Sequence, residues 1–237
     1  MIKDKSCATK CIILPCAGGC AANYNKYKHF LPDVTIYEYP GHWTRYREGL
    51  VHSVSALVED FVTRVIDAEQ DMPLYLFGHS MGGIVAWSAV EKLLSMGVTV
   101  AGLYIAACSP PSESGDFLRE IKNDNDIKLF LAKIRQVPSK VLESAFFREN
   151  LLPSIKNDFQ MIQNLSDGCI WSERKINIPI TCFYGQDDSL VPYSNIQKWK
   201  EFTEKETRFF ACRGNHFFVY DTTNANYISN IISEGFK

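Results

Sequence analysis

A chain of 237 residues with 46% hydrophobic and 22% charged side chains can build one sizeable core, and a single domain over residues 1–237 is expected. A net charge of −2 excludes the strongly basic field of a nucleic-acid-binding protein and points to small-molecule or protein partners. The N-terminal apolar run is too short for a leader, and no stretch approaches the roughly 18–20 apolar residues of a membrane span. A cytoplasmic chain without a membrane partner is therefore expected.

The first short apolar run, CIILPC (11–16), reads as a buried strand, and the AGG after it as a tight turn. A second strand, VTIYEY (34–39), precedes an amphipathic helix with Val54, Leu57, Val58, Phe61, Val62 and Val65 at i, i+3, i+4 spacing. PLYLFG (73–78) is the third strand. It runs into GHSMGG, and a helix carrying Ile84, Val85, Leu93 and Leu94 follows. VAGLYIAAC (100–108), IPITCFYG (178–185) and TRFFAC (207–212) complete the strands, and Ile228, Ile231 and Ile232 mark a C-terminal helix. Strands alternating with helices predict an α/β fold with a mostly parallel central sheet flanked by helices. Residues from about 111 to 174 break that rhythm with helical patterning alone. An insertion this long predicts a helical lid.

Eight cysteines contain no CxxC pair. Cys7, Cys11, Cys16 and Cys20 lie close together, but the setting favours reduced, structural thiols, with no metal and no bound cofactor.

Gly78-His79-Ser80-Met81-Gly82 fits G-x-S-x-G between a strand and a helix. There the glycines permit a sharp turn that lifts a serine hydroxyl above the sheet edge, and the helix N-terminus faces a developing oxyanion. A hydroxyl needs a base to take its proton, and the base needs a carboxylate to orient it. Of His29, His42, His52, His79 and His216, only His216 follows Ser80, in a loop directly after the last strand. FYGQDDSLVP offers Asp187 and Asp188; counting three residues from Gly185 selects Asp188, and a turn one residue different would exchange the two. The order Ser80, Asp188, His216 is that of α/β-hydrolases. The amides of Ala17 and Met81 are the expected oxyanion donors, with Cys16 the weaker alternative to Ala17.

LPCAGG, YPGHWTRYRE, LFGHSMGG, YGQDDSLVP and RGNHFF, in this order and in a chain of this length, resemble the stand-alone type II thioesterases of nonribosomal peptide and polyketide synthases. The resemblance runs from about residue 11 to the C-terminus. It implies an α/β-hydrolase fold, a Ser80–His216–Asp188 triad, an oxyanion hole at Ala17 and Met81, and substrates carried on the phosphopantetheine of acyl or peptidyl carrier proteins. The enzyme would edit or release acyl, aminoacyl or peptidyl groups and act as a monomer. This chain departs from the family at Cys16, where an aromatic residue is frequent, and at Trp43, where a glycine is frequent. Those departures bear on acyl preference and leave the triad intact. A small-molecule carboxylesterase or lysophospholipase is the alternative, a partner-binding protein on a hydrolase scaffold a second, and an acyltransferase with a GHS-x-G elbow a weaker third.

Within the lid, apolar residues recur at near-helical intervals, Phe130, Leu131, Phe146 and Phe147 among them, and some are expected to line an acyl or pantetheine channel. Between Ile127 and Asn157, Lys128, Lys133, Arg135, Lys140, Arg148 and Lys156 face only Glu143 and Glu149. Such a bias suits the approach of an acidic carrier.

Overall fold

The computed structural model describes residues 9–68, 72–113, 118–134, 137–166 and 174–235. Strands β1 (Lys10–Leu14), β2 (Val34–Ile36), β3 (Leu74–His79), β4 (Val100–Ala106), β5 (Ile180–Gly185) and β6 (Thr207–Cys212) form one sheet in the order β2-β1-β3-β4-β5-β6. Every neighbouring pair is parallel. The first strand stops at Leu14 rather than residue 16, because Pro15 has no N–H to continue the ladder.

Alternation along each strand divides the core between two faces. Ile12, Leu14, Leu76, Leu103, Ile105 and Cys182 point to one side, where α1 (Val54–Ala68) and α2 (Met81–Ser95) pack. Ile13, Phe77, Tyr104 and Phe183 point to the other, against Tyr24 and Tyr27 of a 3-10 segment (Ala21–His29) and Ile228, Ile231 and Ile232 of α7 (Thr222–Glu234). Covering both faces is what lets a parallel sheet read as continuous apolar runs. The six apolar positions expected on α1 are all buried. Helix α2 differs from expectation: it is buried all round from Met81 to Val90, and Leu94 is exposed while Leu93 is not. Its outer flank is covered by Trp199 and Phe202, which meet Trp87 edge-on.

Between β4 and β5 lie a 3-10 turn (Pro111–Glu113), α3 (Asp124–Ile134), α4 (Ser139–Leu142), a π-helical turn (Phe147–Leu151) and α5 (Leu152–Ser166). The described residues of 111–174 hold no strand. Helix α3 starts where Asn123 accepts from the amides of Asn125 and Asp126 while Asp126 accepts from those of Lys122 and Asn123, a reciprocal cap. Pro153 stands where α5 continues directly from the π-helical turn, with Leu152 still helical and its N–H bonded to the Phe147 carbonyl. A short helix, α6 (Tyr193–Ile196), follows β5.

Candidate active site

Ser80 occupies the turn between β3 and α2 with φ 54° and ψ −120°, a left-handed conformation that a side chain adopts only under constraint. Its neighbours explain how it is held. A Cβ on Gly78 would lie 2.3 Å from the carbonyl oxygen of Gly82, and one on Gly82 would lie 2.1 Å from that of Leu14. Glycine at both positions lets α2 start directly against the end of β1, bringing its first amides beside the loop that follows β1.

Three loops at the C-terminal ends of the strands converge on Ser80. His216, after β6, places Nε2 3.0 Å from Ser80 Oγ, and its Nδ1–H donates to Asp188 Oδ2 at 2.9 Å. The side chains of His216 and Asp188 are 5% and 1% exposed, so the row is shielded from water up to the serine. Burial by itself would push the Asp188 carboxyl up. The His216 hydrogen bond and charge, with the amides of Leu190 and Val191 on Oδ1, outweigh it and hold the group below the usual carboxylate range. An ionised Asp188 fixes the proton on Nδ1 and leaves Nε2 to accept from the serine hydroxyl. Asp187 is exposed, its amide tied to the carbonyl of Gly214.

His79 is fully buried and works inside the turn: Nε2–H donates to the carbonyl of His216 at 2.9 Å, and Nδ1 accepts from the Tyr24 hydroxyl at 2.8 Å. That hydroxyl in turn accepts the Cys16 amide at 3.0 Å. A chain of three hydrogen bonds thus ties the loop after β1 to the backbone of His216. Because the Cys16 N–H is taken, it is not available as an anion donor. The amides of Gly18 and Gly19 also have acceptors, Asp158 Oδ2 at 2.7 Å and the Cys16 carbonyl at 2.9 Å. Ala17 alone in this loop donates to no acceptor among the described residues, and it borders the cavity at Ser80. Met81, as the first residue of α2, has an amide that the helix cannot use.

The cavity over Ser80 is lined by Ala17, Phe130, Leu131, Phe159, Ile162 and His216, and encloses only about 20 Å³. Phe130 and Leu131 were expected there; Phe159 and Ile162, from α5, were not singled out by the sequence. Phe146 and Phe147 lie elsewhere. Phe147 is packed in the lid's core, while Phe146 is 55% exposed and lines an outer groove of about 410 Å³ with Trp43, Tyr46 and Leu50. Both phenylalanines stand beyond the end of α3 at Ile134, past the separate short helix α4, so they do not continue the face that Phe130 and Leu131 turn to the serine.

Two further groups escaped the sequence reading. His42 and Asp158 form a buried ion pair at 2.9 Å across 116 residues of chain. Arg45 anchors the loop that carries His42, donating to Asp60, Glu48 and the Glu38 carbonyl. The remaining histidines stand apart from the site, His29 exposed and His52 bonded to Asn157. Of the cysteines, Cys11, Cys108, Cys182 and Cys212 are buried, and burial pushes their thiols up, Cys212 to about 12. Cys7 lies outside the described residues.

On the lid surface Lys128 pairs with Glu143 and Lys156 with Asp124. Lys133, Lys140 and Arg148 are exposed and form no ion pair among the described residues. Arg135 lies outside them. No helix among the described residues is long and apolar enough to cross a membrane.

Comparison with known proteins bears on the family and the fold. Residues 9–234 match the family model of the thioesterase domain. The human medium-chain S-acyl fatty acid synthase thioesterase is 25% identical over 239 residues, spanning 98% of this chain and 89% of that protein. The gramicidin S biosynthesis protein GrsT of Aneurinibacillus migulanus is 26% identical over 216 residues, 88% of this chain and 82% of its own. A solved structure of ClbQ from the colibactin nonribosomal peptide and polyketide pathway superposes with a TM-score of 0.82 at 26% identity, covering 96% of this chain and 98% of that one. The fold is the α/β-hydrolase fold of these thioesterases.

Proposed function

The chain belongs to the thioesterase family, and from that premise we propose that it hydrolyses acyl, aminoacyl or peptidyl thioesters on the phosphopantetheine of carrier proteins in nonribosomal peptide or polyketide synthesis. The observation that carries the reading is the row Ser80–His216–Asp188, with hydrogen bonds of 3.0 and 2.9 Å, facing the uncommitted amide of Ala17.

Each step follows from these groups. His216 Nε2 takes the proton of Ser80 as Oγ attacks the thioester carbonyl, and Asp188 stabilises the imidazolium that forms. The oxygen that gains charge rests on the amides of Ala17 and Met81. Collapse breaks the carbon–sulfur bond, and His216 returns its proton to the departing pantetheine thiolate. A water molecule then attacks the acyl-serine, losing its proton to Nε2, and the acid leaves as Ser80 recovers its hydrogen. No cofactor enters these steps, and one copy of the chain supplies every residue, which suits a cytoplasmic monomer.

The test is hydrolysis of an acyl group loaded on a holo carrier protein, beside p-nitrophenyl esters. The carrier-bound thioester is expected to have the higher kcat/KM, and Ser80→Ala to lose at least about 10³-fold while staying folded. A preference for the free esters would favour the carboxylesterase alternative, and a Ser80 unreactive toward a fluorophosphonate would overturn the hydrolytic reading.

A further inference from the structure

Resting on that thioester chemistry, we propose that Asp158 is a positioning residue for the oxyanion hole, and that through it the hole is complete only when lid helix α5 is seated. The loop after β1 is gripped on both sides of Ala17. On the sheet side Tyr24 holds the Cys16 amide at 3.0 Å; on the lid side Asp158 Oδ2 holds the Gly18 amide at 2.7 Å. The peptide group that carries the Ala17 N–H has its own carbonyl, that of Cys16, held by the Gly19 amide at 2.9 Å, and lies between the anchored Cys16 and Gly18 amides, so the Asp158 contact limits the φ and ψ of Ala17 and with them the direction of its N–H. The acceptor is supplied from 140 residues away, by the helix that also roofs the serine.

Contacts with this loop and with the segment from His42 to His52 seat α5. A Cβ on Gly18, whose φ is +61°, would lie 2.5 Å from Cγ1 of Ile155, so the helix touches the loop backbone directly. Asn157 donates to the Val51 carbonyl at 2.8 Å and accepts from His52 at 2.5 Å. Asp158 itself is 0% exposed and shares Oδ2 with His42 Nε2, while His42 Nδ1 donates to the Pro40 carbonyl at 3.0 Å. With acceptors at both ring nitrogens, the imidazole carries both protons and balances the carboxylate. Asp158 Oδ1 has no hydrogen-bond partner among the described residues. A buried pair with an orphaned oxygen is a poor device for stability alone. It is a good device for aiming one amide with a strong acceptor. Phe159 and Ile162, one residue and about one turn further along α5, close over Ser80. Displacing α5 to admit an acyl group withdraws the carboxylate from Gly18, and reseating it restores the donor as water is excluded.

The test uses hydrolysis of an acyl-N-acetylcysteamine and inhibition by an alkylboronic acid, which forms a tetrahedral adduct on the serine and engages the same donors. Asp158→Asn is isosteric and offers a weaker acceptor. It is expected to lower kcat about tenfold, a part of the 10²–10³ that deleting a whole oxyanion donor costs, with KM within about threefold. The boronate Ki should rise by the same factor. Asp158→Ala should move further along the same line; if it does not fold, Asp158→Asn decides alone. Val65→Ala, in α1 and remote from the site, serves as the stability control and should lower Tm with kcat and Ki unchanged. An unchanged kcat in Asp158→Asn, or a fall in kcat with Ki unmoved, overturns the role of Asp158. A wild-type protein that neither cleaves the thioester nor binds the boronate overturns the thioesterase reading itself.

Discussion

Gly82→Ala probes the contact on which the oxyanion geometry rests. The added methyl would sit 2.1 Å from the Leu14 carbonyl oxygen and 2.6 Å from that of Pro15, both backbone atoms at the end of β1. Neither can swing away like a side chain, so α2 must back off until the contact reaches ordinary separation, a shift of about 1 Å, and misplacement on that scale costs about 10²-fold in rate. Met81 leads α2 and Ala17 follows β1, so this displacement widens the gap between the two proposed donors. Overpacking should also cost about 1–3 kcal/mol of stability. Gly83→Ala separates the two effects. Its methyl would meet the Cys108 side chain at 3.0 Å and Ile105 at 3.1 Å, on the core side of the helix, so it should lower Tm with a much smaller loss of kcat. Steady-state kinetics on an acyl-N-acetylcysteamine, with thermal melts of both variants, make the comparison. A folded Gly82→Ala protein with kcat within about threefold of wild type would refute the reasoning.

Asp188→Asn should lower kcat on the order of 10⁴-fold, because the wrong histidine tautomer faces the serine, while Asp187→Asn should change it little; the reverse ranking would make Asp187 the orienting acid. Phe159→Ala opens the roof of the serine cavity and should raise the rate for long acyl groups relative to short ones; a uniform loss across chain lengths would mean destabilisation only. Reversing charge at Lys133 and Lys140 together should raise KM for an acyl-carrier protein and weaken its salt dependence, leaving the acyl-N-acetylcysteamine unaffected; equal responses would place carrier docking elsewhere. The His42 imidazole is opposed by burial but held above its ordinary pKa by Asp158, the Pro40 carbonyl and Glu38. Its contribution to stability is therefore full below about pH 6.5 and lost as pH rises through the folded value, so Tm should fall over that window in wild type and stay flatter in His42→Gln.

The sheet was legible because its strands are short apolar runs broken by turns, and α1 because its buried face keeps the helical period. Ser80, Asp188 and His216 could be picked out because each lies just beyond a strand, where topology alone brings loops together. Tyr24 and Tyr27 carry no period that marks the 3-10 segment between β1 and β2; their partners, His79 and the Val219 carbonyl, are remote in sequence. The His42–Asp158 pair is hidden for the same reason, since no local spacing relates residues 116 positions apart. Phe146 and Phe147 misled because near-helical intervals were continued past the end of α3 at Ile134 and across the separate helix α4, where one helical period no longer relates the residues.

The cavity over Ser80, about 20 Å³, is narrow and closely roofed by side chains of the lid. If the proposed substrate enters by displacing Phe130, Leu131, Phe159 and Ile162, the rate of capture would scale with the fraction of time they part. Rare openings of this kind would act as a clock. An intermediate that its synthase elongates promptly is gone before the serine is uncovered, whereas one that lingers on its pantetheine meets an open site sooner or later. Under such gating, dwell time, a property that no contact with the acyl group needs to measure, would decide which thioesters are cleaved.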